Sequence, residues 1–390
     1  MFMAIRGTIL PFVPTLVMAM TIPGMAVAWW HYSFDSARGA PLRSLSSHAL
    51  FFGILLAGLA VYGYWRGNVF RNMLEDCWTY ACIFWMVLLG RYDEVWEDLE
   101  KPLLILTLIG MGMAFLGLGI PVTSVDVDKS VIQSQYEGER GYTRSVAYTL
   151  CDHLLGCWPL VFAGGVLGRR HPATRVMSFL IWIGYLTLQV YFTKRAPSAR
   201  AACYFLSAVI VSVLFVRKQG IQMMLVGILA VSMAGAFLWA RPEVALLYER
   251  FYQEDTSRID EAMMMSRCLS REDWIIGTGM GGYFVPEVAS MVTVAGKGGE
   301  EGKSALHIGL SMPLLKGGLI LLVAFCFLMM RALRGAGRRA AWNRYDGITI
   351  CVLPVFGLFL LTEGFPSYGS PFDALLLGLL LGRARKRAWS

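Results

Sequence analysis

Residues 250–318 read RFYQEDTSR at 250–258, WIIGTGMGGYF at 274–284 and SALHIGLSMPLLKGG at 304–318. This stretch is the longest polar interruption in an otherwise apolar chain, and an apolar run lies on each side of it. It combines arginines, closely spaced glycines and one histidine, His307. We therefore expect a loop between two membrane spans that gathers these side chains at one face of a bilayer.

The composition around this stretch is that of a membrane protein. Of 390 residues, 56% are hydrophobic and 16% are charged, and the mean hydropathy is +0.54. Soluble domains contain about 25% charged residues. The apolar runs reach the length of about 20 residues that a helix needs to cross a bilayer. The sequence therefore predicts an all-α fold, a polytopic transmembrane bundle of about 11–12 spans.

The predicted spans divide the chain without suggesting a second domain. We expect residues 1–390 to form a single integral membrane domain, with 241–304 as a large, partly helical periplasmic loop inserted between spans. The candidate spans are 9–30, 47–65, 74–90, 102–121, 147–168, 175–192, 200–216, 221–240, 305–330, 346–362 and 371–382.

Lysine and arginine placement predicts the orientation of these spans, because basic loops stay in the cytoplasm. The cytoplasmic candidates are the basic segments 169–175, 217–218, 331–344 and 383–387. Alternation then places 122–146, 193–199 and 241–304 outside. Counting back to the N-terminal half places the acidic segment 91–101 inside, which the positive-inside rule does not predict.

The charge and cysteine content exclude several classes of function. A formal net charge of +8 follows from arginine-rich loops and reports topology, so we predict no nucleic-acid partner. The eight cysteines lie almost all in apolar runs, which predicts neither a disulfide framework nor a zinc site. Asp126 and Asp128 could hold a divalent cation, but two acids in a loop are a weak signal. We predict no metal and no cofactor.

Several polar residues at the predicted outer face are open to two interpretations. Lys194, Arg195 and Arg200 either extend along the membrane surface or bind an anion, since arginine forms paired hydrogen bonds with phosphate oxygens. Asp152, near the outer end of span 147–168, either has a function or bonds to a neighbouring helix. Gly277, Gly279 and Gly281 could form a tight turn whose N–H groups face an anion. Their context excludes a dinucleotide site, because no βαβ unit surrounds them.

Taken together, these motifs resemble the O-antigen ligase/polymerase superfamily. Its members are integral membrane proteins that handle undecaprenyl-diphosphate-linked glycans at the outer face of the bacterial inner membrane. Residues 241–330 carry the best match. The matching positions are the loop arginines Arg250 and Arg258, the glycine turn at Gly277 and Gly279, the motif-heading His307, and Gly317-Gly318-Leu319 at the motif's end. The chain departs from the family pattern at Ile308, where Asn is usual, and at Lys316, where an acid is frequent.

The resemblance implies roles for particular residues. His307 is the implied catalytic residue, which accepts a proton from the incoming hydroxyl or orients it. The implied diphosphate ligands are Arg195, Arg200, Arg250 and Arg258. The implied substrate-positioning residues are Arg144, Asp152, Gly277 and Gly279. Arginines can stabilise the leaving diphosphate without a metal, and no carboxylate nucleophile is evident, so we expect direct displacement with inversion at the anomeric carbon.

Three functions remain open at this point. The first is a ligase that moves a glycan from undecaprenyl diphosphate to an acceptor such as the lipid A core. The second is a polymerase that joins lipid-linked repeat units. The third is a transporter or flippase of lipid-linked sugars, for which internal repeats would be expected. All three predict a multi-pass protein of the bacterial inner membrane, and the two enzymes would have a site that faces the periplasm.

Overall fold

The computed structural model describes residues 23–34, 47–117, 155–167, 172–191, 195–216, 257–285, 294–295, 301–302, 309–337, 344–360 and 371–385. These residues are mostly helical. The helices are α1 (23–34), α2 (Ser47–Trp65), α3 (Phe70–Leu89), α4 (Asp93–Gly117), α5 (Trp158–Leu167), α6 (Pro172–Tyr191), α7 (Arg195–Val216), α8 (Ser257–Cys268), α9 (Arg271–Ile276), α10 (Ser311–Gly337), α11 (Arg344–Phe359) and α12 (Pro371–Arg385).

A short antiparallel ladder is the exception to the all-α prediction. Strands β1 (Val294–Ala295) and β2 (Glu301–Gly302) pair with Val294 opposite Gly302. The ladder, α8 and α9 all fall within the predicted loop 241–304, so that loop is partly helical in its described part.

Two helices in the described part of the chain are long and apolar enough to cross a membrane, judged by length and composition. They are Ala173–Val190 within α6 and Ser311–Arg334 within α10. Three shorter apolar helical segments accompany them: Leu50–Trp65, Trp158–Leu167 and Pro197–Val213. Membrane helices are thus supported at the level of individual segments.

The chain divides into two compact units. The first comprises Met1–Pro14 and Leu99–Glu254, and the second comprises Thr15–Asp98 and Asp255–Ser390. Helix α4 therefore begins in the second unit and continues into the first. The single integral membrane domain over residues 1–390 stays a prediction.

Aromatic side chains build the core of the first unit. Trp158 of α5 stacks on Tyr185 of α6, with ring centroids 4.6 Å apart, and meets the edge of Tyr204 of α7. Trp182 stacks on Phe205 at 4.7 Å. The Trp182 indole N–H donates to the carbonyl of Ala201 at 3.0 Å, so the polar atom of this buried ring has a hydrogen-bond partner.

Close helix packing in the second unit depends on glycine. Helices α3 and α12 run side by side in the same direction, with Gly378 against the backbone of Ile83 and Gly382 against that of Val87. A Cβ at either glycine would lie within 2.6 Å of a carbonyl oxygen. This GLLLG segment is therefore a small-xxx-small contact of the kind that brings membrane helices together.

Arg383 lies at one end of the second unit and pairs there with two carboxylates. The sequence assigns it to a basic cytoplasmic tail, but its side chain is fully buried. Its Nε donates to Asp346 Oδ1 at 2.9 Å, and its Nη1 donates to Asp93. The start of α4, the start of α11 and the end of α12 therefore share one end of this unit. That grouping agrees with the span count, which places the acidic segment 91–101 on the same side as the basic tail.

Candidate functional site

A break in α10 organises the other end of the second unit. Gly318 has φ 59° and ψ −159°, so the helix is interrupted about two turns after it begins. Such a break removes the helical donors for the carbonyls of Leu315 and Lys316. The backbone N–H of Thr278 donates to Leu315 O at 2.8 Å, and that of Gly279 donates to Lys316 O at 3.0 Å. The glycine-rich turn 277–282 thus satisfies the carbonyls that the break exposes.

Glycine is required in this turn because three backbones meet there. Gly279 has φ 80°, and a Cβ on it would lie 2.6 Å from Cα of Gly63 in α2. A Cβ on Gly277, whose φ is 82°, would lie 2.4 Å from the backbone nitrogen of Gly317 in α10. A side chain at either position would therefore push the turn away from its neighbouring helix.

A buried ion pair fastens the same turn to α3 and α10. Lys316, whose side chain is 0% exposed, places Nζ 2.7 Å from Asp76 Oδ2 and donates to Gly282 O at 2.6 Å. Asp76 Oδ2 also accepts from the backbone N–H of Gly281 at 2.6 Å. These hydrogen bonds offset the free energy of removing two charges from water. The pair therefore joins two helices through the turn between them.

A second ion pair lies at the surface of this region. Arg66, at the loop between α2 and α3, donates from Nη2 to Asp273 Oδ1 at 3.1 Å. Asp273 also completes a capping box with Ser270 at the start of α9, accepting from the Ser270 hydroxyl at 2.7 Å. We call Arg66, Asp76, Asp273 and Lys316, together with the turn 277–282, the polar cluster.

A pocket of about 580 Å³ opens beside the polar cluster. Residues 66–68 form one wall of the pocket, and residues between Cys268 and Val285 form the other. Asn68 joins the walls, because its side-chain amide donates to the carbonyls of Thr278 and Met280, each at 2.9 Å. Among the described residues, no group of three His, Cys, Asp or Glu side chains could hold a metal ion.

The glycine turn bears on one prediction. Gly277, Gly279 and Gly281 do form a tight turn, and their N–H groups are bonded within the protein, the one at Gly281 to the carboxylate of Asp76. They donate to Asp273 O at 2.9 Å, to Lys316 O at 3.0 Å and to Asp76 Oδ2 at 2.6 Å. These glycines therefore have a structural role, because each of their three N–H groups is hydrogen-bonded inside the protein.

The other predicted site residues are only partly described. Arg195 begins α7 and half-buried Arg200 follows in the same helix, in the first unit. Arg258 lies in α8, in the second unit. Arg144, Asp152, Arg250 and His307 lie outside the described residues. Convergence of these side chains on one diphosphate therefore stays a prediction.

Sequence reasoning missed most of the polar cluster. Asp76 and Lys316 stand within predicted spans 74–90 and 305–330, where an ionisable side chain is a functional or structural marker by default. That signal was present for both residues. Arg66 carries no comparable signal, since a basic residue just after an apolar run is ordinary.

Comparisons with known proteins add no family assignment. No protein-family model matches the chain, and no curated protein matches it significantly. The resemblance to the O-antigen ligase/polymerase superfamily therefore rests on the motifs alone.

The structural role of the turn yields a testable prediction. We expect Gly279→Ala to lower the free energy of unfolding by about 1–2 kcal/mol through its positive φ and by about 1–3 kcal/mol more through the clash with Gly63. Thermal unfolding of the purified protein, without substrate, measures this loss. Gly58→Ala is the matched control, because nothing lies within 4 Å of its added Cβ in α2. Equal stability of the two variants would contradict a structural role for Gly279.

Proposed function

We propose that this protein is a membrane glycosyltransferase that transfers a glycan from an undecaprenyl-diphosphate carrier to an acceptor hydroxyl at the periplasmic face. The preferred acceptor is the lipid A core, which makes the protein a surface-polysaccharide ligase. The observation that carries the proposal is the ordered motif set Arg250–Arg258, Gly277–Gly279 and His307–Leu319. These residues supply arginines for a leaving diphosphate and an imidazole for an incoming hydroxyl.

The exposed surface of α10 supports placement in a membrane. Leu319, Ile320, Val323, Phe327 and Met330 are each 44–62% exposed, and they recur at helical spacing along one side of the helix. Soluble proteins rarely leave so continuous an apolar stripe uncovered. We infer that this stripe faces lipid in a multi-pass bundle of about 11–12 spans in the bacterial inner membrane.

The interruption of α10 in the second unit supports a site at the membrane surface. An interrupted helix is tolerated at membrane depth only where neighbouring protein or a cavity satisfies its backbone. The break at Gly318 meets this condition through the glycine turn, and a polar pocket opens beside that turn. In the proposed orientation this end of the second unit faces the periplasm, and His307 lies four residues before the start of α10 in the sequence.

Reconstitution tests the proposal directly. Purified protein in lipid vesicles is mixed with an undecaprenyl-diphosphate-linked glycan and the lipid A core, and the products are separated on a gel. We expect a glycan-bearing lipid A band without added metal, and nuclear magnetic resonance of the new linkage should give the inverted anomeric configuration. Failure to transfer to any acceptor would contradict a transferase. Formation of longer lipid-linked chains alone would identify a polymerase, and movement of intact substrate across the vesicle membrane would identify a flippase.

A further inference from the structure

The pocket beside the polar cluster has the size of a small-ligand site. Its volume of about 580 Å³ lies inside the range of about 300–1,000 Å³ that such sites occupy. Arg66, Asn68 and Asp273 supply polar groups to the lining, and Tyr283 and Phe284 supply aromatic ones. Placed polar groups next to aromatic side chains can fix the orientation of a ligand in such a site.

The charge balance of the lining indicates the kind of ligand. Among the described residues that line this pocket, Arg66 and Asp273 are the charged ones, and they neutralise each other across 3.1 Å. A diphosphate requires an excess of cationic donors, so this described lining does not suit one. A guanidinium and a carboxylate placed side by side instead offer hydrogen-bond donors next to acceptors, which matches two neighbouring hydroxyl groups.

The polar groups of the pocket are held in place before any ligand arrives. Asp273 is fixed by the capping box with Ser270, and Asn68 is fixed by its two bonds to the glycine turn. Gly67, with φ 75°, turns the chain between Arg66 and Asn68. Because little side-chain freedom is left to lose, the free-energy penalty of ordering the site on binding is small.

We propose that this pocket binds an uncharged saccharide, with Arg66 donating to one hydroxyl and Asp273 accepting from its neighbour. The inference deepens the proposed function, since the saccharide belongs either to the donor glycan or to the acceptor. The diphosphate then binds elsewhere, at arginines outside this pocket.

Cys268 provides a native reporter for occupancy. It is exposed, lines the pocket, and its thiol donates to the carbonyl of Val285 at 3.5 Å. The intact protein is pulsed with a maleimide, and labelling at each cysteine is measured by mass spectrometry. The probes are glucose, galactose, N-acetylglucosamine, the delipidated donor glycan, the delipidated lipid A-core oligosaccharide and inorganic pyrophosphate.

We expect at least one saccharide to slow labelling of Cys268 several-fold in a saturable way, with no change at Cys203 in the first unit. Comparison of the donor glycan with the core oligosaccharide identifies the source of the sugar. Pyrophosphate should give no protection. Protection by pyrophosphate alone, or by no compound, would overturn the proposal.

A pair of arginine variants tests the assignment of residues. Arg66→Gln removes a charged donor from the pocket and should weaken protection about tenfold, the effect of one lost hydrogen bond to a charged group. Arg71→Gln is the control, because Arg71 is 73% exposed, pairs with Glu75 and does not line the pocket. Equal loss of protection in both variants would contradict the assignment.

The labelling experiment does not depend on catalysis. Saccharide protection in a protein that transfers no glycan would support this pocket and contradict the proposed function. Glycan transfer without protection at Cys268 would support the proposed function and contradict this pocket as a saccharide site.

Discussion

Lys316→Met is expected to lower the free energy of unfolding by about 3 kcal/mol, because it leaves the carboxylate of Asp76, which is only 16% exposed, without its cation. Lys316 Nζ lies 2.7 Å from Asp76 Oδ2, and the lysine side chain is 0% exposed. The variant also loses the hydrogen bond from Nζ to Gly282 O. Thermal unfolding in detergent or in lipid discs measures the change, and reduced yield of folded protein should accompany it.

Two further variants test whether the stability loss comes from the broken ion pair rather than from replacing any lysine. Lys101→Met removes an exposed lysine and should change the free energy of unfolding by less than about 0.5 kcal/mol. The double variant Lys316→Met with Asp76→Asn removes the unpaired charge yet keeps an oxygen for the Gly281 N–H, so it should recover part of the loss. If the double variant were as unstable as the two single changes added together, the charge pair would not be the cause.

His307→Ala is expected to give the largest loss of activity, lowering glycan transfer by about 10²–10⁴-fold. In the proposed reaction the imidazole accepts the proton of the incoming hydroxyl or orients that hydroxyl. Histidine suits this role because its ordinary pKa, about 6.5, lies near neutral pH. Initial rates in the vesicle assay measure the effect at saturating donor and acceptor.

A histidine variant elsewhere is the matched control for this result. His31→Ala alters an exposed histidine of α1 and should leave the transfer rate within twofold of the unaltered protein, about 0.4 kcal/mol at most. The His307→Ala protein should still insert into membranes and bind lipid-linked donor. Normal polymer in cells that carry His307→Ala would exclude this histidine from catalysis.

The pairing of Asp76 with Lys316 could not be predicted from the sequence. The positions of Asp76 and Lys316 inside predicted spans mark them as unusual, because a lone charge in an apolar run is unfavourable. Their pairing was not predictable, since 240 positions separate them and either could have met another partner. Only the packing of α3 against the glycine turn brings the two charges to 2.7 Å.

At the candidate site, the glycine turn was predictable from the sequence but its hydrogen-bond acceptors were not. Closely spaced glycines at 277, 279 and 281 predicted a tight turn, because residues with positive φ are mostly glycine. The acceptors of their N–H groups could not be read from spacing: two are backbone carbonyls and one is the carboxylate of Asp76. The acceptors come from α9, α10 and Asp76 of α3, elements that the chain reaches at widely different positions.

By itself, the sequence determined the helical character of the chain, its apolar segments and the place of its main polar interruption, because hydropathy and backbone propensity act over neighbouring residues. Tertiary contacts pair the buried Arg383 with Asp93 and Asp346, let the glycine turn bond the carbonyls at the break in α10, and bring Arg66 to Asp273 at a pocket. These features require partners distant in sequence, and short-range patterns do not specify which distant groups satisfy a buried charge or an exposed carbonyl.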